Sequence, residues 1–89
     1  EDEKLEKIVL KVNKELYPYI ESKPIHGSQK VIERNEDAII LQLELIVNFE
    51  WKALLLSYGE GLSVLAPSSI REELLNIIKK MNSNYLCAD

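Results

Sequence analysis

From Ala38 to Asn48 apolar and polar side chains alternate with a period of two, the signature of a strand with two unlike faces. Ile39, Leu41, Leu43, Leu45 and Val47 fall on one side; Ile40, Gln42, Glu44 and Ile46 fall on the other. Ile8 to Val12 repeats the pattern, with Ile8, Leu10 and Val12 opposed to Lys7, Val9 and Lys11. Ser28 to Arg34 predicts another strand. Lys30, Glu33 and Arg34 dilute it and place it at a sheet edge. Leu62 to Ala66 predicts a short fourth strand that Pro67 ends.

Between these runs the period changes to that of a helix. Asn13 offers an N-cap, and Leu16, Tyr17 and Ile20 give a narrow apolar side. Pro18 removes a donor there, so this helix is short or starts beyond Asn13, and Lys23-Pro24 ends it. Asn35-Glu36-Asp37 has turn chemistry. Asn48 caps a second helix in which Trp51, Leu54, Leu55 and Tyr58 follow i, i+3, i+4, i+7, with Gly59 suited to a left-handed stop. Ser69 and Glu72 have capping-box spacing for a third helix, which presents Ile70, Leu74, Ile77, Ile78 and Met81. Asn82-Ser83-Asn84 then predicts loosening toward a tail.

The order β-α-β-β-α-β plus a final helix predicts an α+β fold, a ferredoxin-like sandwich with a four-stranded antiparallel sheet. Residues 1–6 read as the end of a linker, 7–82 as one domain and 83–89 as a C-terminal tail. First and third strands should be central neighbours, with Lys11 and Glu44 pairing across them. Val9, Ile40, Gln42, Glu44 and Ile46 then lie on a sheet face without helices. Apolar side chains among polar ones suggest that this face is a contact surface, with self-association the expected contact.

Composition narrows the function. The chain has 89 residues and a formal net charge of -4, with no clustered basic stretch, so this piece alone is no backbone binder of nucleic acid. The lone Cys87 excludes an internal disulfide and fits a reducing cytoplasm. One His and one Cys do not make a closed zinc site, and no cofactor is expected. No apolar run has the length of a membrane span, so no membrane partner is expected. The sequence begins at Glu1 without an initiator Met and reads as a fragment of a longer protein.

Candidate chemistry is sparse. His26, Ser28 and Gln29 form a polar loop before the second strand. Their functional reading is contact with a ligand or a neighbouring domain; the plainer and favoured one is tying the loop to backbone groups. Arg71 has the same two readings, domain contact or surface ion pair. Trp51 reads as core by its helical spacing, with an interface anchor as the rival. An enzyme such as a small phosphatase would need a Gly-rich anion cradle after the first strand. Val12-Asn13-Lys14-Glu15 stands there instead, so no enzyme is expected.

One run of motifs goes further: Pro24-Ile25-His26-Gly27-Ser28-Gln29, the strand through Leu43 to Val47, Leu55-Leu56-Ser57-Tyr58-Gly59, Leu62-Ser63-Val64-Leu65-Ala66-Pro67, and Ile70-Arg71. In this order the run resembles the C-terminal extension (WCX) of WYL-domain bacterial transcriptional regulators. The resemblance covers nearly the whole chain. It implies a C-terminal regulatory and dimerisation module, homodimeric in the full-length protein. It also implies DNA binding by an N-terminal domain that this sequence lacks, and a nucleic-acid or nucleotide effector. The Trp-Tyr-Leu motif of the WYL domain is absent, and Trp51 and Tyr58 do not reproduce it. The alternative is a free-standing ferredoxin-like sensor of small molecules.

Overall fold

The computed structural model describes residues 4–87. In chain order these are β1 (Glu6–Asn13), α1 (Tyr17–Ser22), β2 (Lys30–Arg34), β3 (Ala38–Leu45), α2 (Phe49–Ser57), β4 (Leu62–Ala66) and α3 (Ser68–Leu86), with a short 3-10 turn at Gly59–Gly61 before β4. Among the described residues the strands form one four-stranded sheet in the order β2-β3-β1-β4, every pairing antiparallel. This is the expected α+β, ferredoxin-like arrangement with an added C-terminal helix.

The period-two patterns set which face is buried. Ile8, Leu10 and Val12 of β1, Ile39, Leu41, Leu43 and Leu45 of β3, and Leu62 and Val64 of β4 all turn to one side. There they join Ile20 of α1, Trp51 and Leu55 of α2, and Ile70 and Leu74 of α3. All three helices therefore contribute to the core on the same face, and the first half of α3 packs on β4 beside α2. A Lys52–Glu73 ion pair of 3.0 Å links α2 to α3.

Local signals held unevenly. Asn48 caps α2, its Oδ1 accepting the Trp51 N–H at 2.8 Å. Gly59 takes φ +63°, the left-handed stop that a side chain resists. Gly61 lies close against Leu16: a Cβ there would stand 3.0 Å from Leu16 Cδ2, so the leucine side chain would have to give way. Asn13 accepts the Leu16 N–H at 2.9 Å, but α1 itself begins only at Tyr17. Asn13 thus shapes the turn that leads into the helix.

Several expectations are corrected. β1 begins at Glu6, inside the stretch expected to end a linker; residues 1–3 of that stretch lie outside the described residues. β2 starts at Lys30, not Ser28, and β3 stops at Leu45, leaving Ile46 and Val47 beyond the strand. Leu54 is 39% exposed: α2 is apolar on nearly every side, and only the Trp51–Leu55 side meets the sheet. The Ser69–Glu72 capping box does not form. α3 starts at Ser68 with Pro67 at its N-cap and no side-chain cap. α3 also runs through Asn82-Ser83-Asn84 to Leu86, because the modest propensity cost of three weak helix formers does not by itself end a helix. Residues 88–89 of the expected tail lie outside the described residues. Finally, Glu44 lies opposite Lys7 while Lys11 lies opposite Ile40, so the Lys11–Glu44 pair is not made.

Candidate functional site

The loop between α1 and β2 is held by its own polar side chains. Ser28 Oγ accepts the Glu44 N–H at 2.8 Å and donates to the Glu44 carbonyl at 3.0 Å. One hydroxyl thus replaces a rung of the ladder, and β2 need not begin until Lys30. His26 Nδ1 accepts the Ser28 N–H at 3.1 Å and lies 2.8 Å from Ser28 Oγ. Gln29 Oε1 accepts the Ile25 N–H at 2.9 Å, and its Nε2 donates to the Ile20 carbonyl at 3.4 Å. These three residues fasten the loop to β3 and to α1.

His26 also lines a shallow recess of about 450 Å³ with Leu5, Leu45, Ile46, Asn48, Glu50, Trp51 and Leu54. The recess joins the end of β3 to the start of α2. Trp51 is packed in the core cluster as its spacing predicts. Its buried indole N–H has no hydrogen-bond partner among the described residues, a cost that a well-packed ring can outweigh.

The face of the sheet away from the helices carries the expected residues. Val9 lies opposite Gln42, and Ile40 lies between Lys11 and Glu33. Val9, Ile40 and Gln42 are half-buried by their neighbours, while Lys7, Lys11 and Glu44 are exposed. Ile46 is exposed just past the end of β3. The face is therefore a charged surface with an apolar seam along its centre.

A second concavity was not foreseen. A groove of about 400 Å³ runs along the β4 edge, floored by Leu55, Leu56, Leu62, Val64 and Leu65, walled by Leu74, Leu75 and Ile78, and rimmed by Lys11, Ser63 and Arg71. Arg71, singled out from sequence, stands here and is exposed. It is remote from the His26 loop in the chain, and the two share neither recess nor hydrogen bond. Beyond the groove, every residue from Ile78 to Cys87 on the last turns of α3 is exposed. The readable signal for this was the apolar stripe continuing past Met81 to Tyr85, together with Leu75 lying off the face assigned to the core.

Among the described residues no helix is long and apolar enough to cross a membrane. No curated protein matches the chain. The family comparison covers a stretch that runs from just before β1 into the last third of α3. The WCX domain family matches residues 4–81, and the chain belongs to that family.

Proposed function

We propose that this chain is the C-terminal regulatory and dimerisation module of a WYL-type transcriptional regulator, working in the cytoplasm. It binds and relays and carries out no chemistry of its own. It couples effector sensing to DNA binding that resides in other domains. Membership of the WCX family carries this reading. The chemistry of the surface supports it: basic residues are scattered over an acidic chain, so the module is no duplex binder alone. The seam of Val9, Ile40 and Gln42 with Ile46 beyond it, flanked by Lys7, Lys11 and Glu44, is a contact face for the rest of the regulator.

The test compares the full-length regulator with a version lacking residues 7–82, by fluorescence anisotropy on operator DNA. The shortened protein is expected to retain basal affinity per binding site and to lose the effector-dependent change. An effector response of equal size in both would overturn the proposal. The groove beside β4 supports one rival, an autonomous sensor of small molecules, since its volume falls in the range of ligand sites. Thermal shift of the 89-residue chain against nucleotides, short oligonucleotides and amino acids separates the two. A relay module shows no stabilisation; a rise in Tm with ligand favours the sensor.

A further inference from the structure

Among the described residues the open sheet face and α3 both carry uncovered apolar side chains, and they differ in kind. The sheet face alternates apolar with charged side chains, and along its centre Val9 and Ile40 are already half-buried. The stretch of α3 that continues its core-facing side past the sheet, with Leu75 at its margin, lacks that cover. Leu75 is 47% exposed, Ile78 47%, Met81 44% and Tyr85 81%, at helical spacings of three, three and four. Helix packing of this kind wants a second helix.

The charges beside the stripe name the occupant. Glu72 and Lys79 are seven residues apart and so lie on the same flank of α3. Helices that pair antiparallel bring like flanks together, whereas a parallel pair would set this flank against the partner's other flank, which carries Leu74 and Met81, and leave both charges without a partner. We infer that a second copy of this chain docks α3 against α3, antiparallel, about a two-fold axis between Leu75 and Ile78. Ile78 then meets the partner's Leu75, and Leu75 meets the partner's Ile78. Glu72 reaches the partner's Lys79, and Lys79 reaches the partner's Glu72. The opposed helix dipoles favour the same orientation. The groove along β4 continues the stripe through Leu75 and Ile78, and the partner's Tyr85 runs along it toward Arg71. The contact is isologous and closes at two copies. It rests on the dimerisation reading above and assigns that role to α3, leaving the sheet face to the remainder of the regulator.

Light scattering and sedimentation equilibrium on the 89-residue chain test it. The parent is expected to approach twice its monomer mass as concentration rises. Ile78→Asp should remain monomeric with an unchanged circular dichroism spectrum, because the side chain it alters lies outside the core. Lys79→Glu places like charges across the axis twice and should weaken the dimer by roughly tenfold, corresponding to about 1.4 kcal/mol. Combining Lys79→Glu with Glu72→Lys should restore the parent constant. Ile40→Asp should leave the mass unchanged. A dimer broken by Ile40→Asp or Ile46→Asp but not by Ile78→Asp overturns the α3 contact and keeps dimerisation. Failure of the charge swap to restore association overturns the antiparallel register. A parent that stays monomeric at millimolar concentration removes the dimerisation reading itself.

Discussion

The two faces of the sheet are drawn from the same strands, yet they obey different rules. On β1, Ile8, Leu10 and Val12 are wholly buried, while Val9 between them is only half-covered and Lys7 and Lys11 stand in water. On β3 the same switch separates Leu41 and Leu43 from Gln42 and Glu44. Covered positions are interchangeable in kind, all aliphatic, because three helices press on them. Open positions keep their individual chemistry, which is what a contact surface needs. A one-residue slip would exchange the two sets entirely, so the pattern that builds the core also decides which side chains are offered outside.

The sharpest way to break this contrast is to truncate one residue on each side. Leu41→Ala removes a side chain with no exposure at the centre of the sheet, and should cost about 2–5 kcal/mol in urea denaturation. Asn48→Ala sharpens the same point from the helix side. It leaves the Trp51 N–H without its cap and loosens the cover that α2 provides, by about 1 kcal/mol on the same measurement. Ser28→Ala removes the hydroxyl that stands in for a rung beside Glu44, and should cost roughly 0.5–1.5 kcal/mol, with faster amide exchange at Glu44. Ile46→Ala, on the open side, should change monomer stability by no more than about 0.5 kcal/mol. A loss at Ile46 as large as that at Leu41 would mean that the two faces do not differ.

The sequence reveals the covered side better than the open one, for a physical reason. Burial imposes a strict period, so the aliphatic positions of β1, β3 and β4 and the strand order they imply are legible without coordinates. Local stop signals are legible where one residue decides alone, as at Asn48 and Gly59. They are not where weak preferences compete. Asn82-Ser83-Asn84 lowers helix propensity without ending α3, and Ser69 offers a cap to a helix that has already begun at Ser68. Leu54 has helical spacing with the core yet misses it, because an apolar residue every few positions does not say how wide the receiving surface is. The loop residues His26, Ser28 and Gln29 were visible as a polar group, and their bonds depend on β3 standing beside Ser28 and α1 beside Gln29. The groove at the β4 edge needs three separated segments at once, and no single stretch announces it.

The irregularity in β2 has a consequence for crowded conditions. Between Val31 and Glu33 the ladder skips, so Ile32 stands outside the register and is 48% exposed, with Lys30, Glu33 and Arg34 around it. A foreign strand arriving at that border would find its donors and acceptors misaligned and its path lined with charge. Edge addition of a foreign strand is thereby disfavoured at this margin, even when tethering raises the local concentration of the domain.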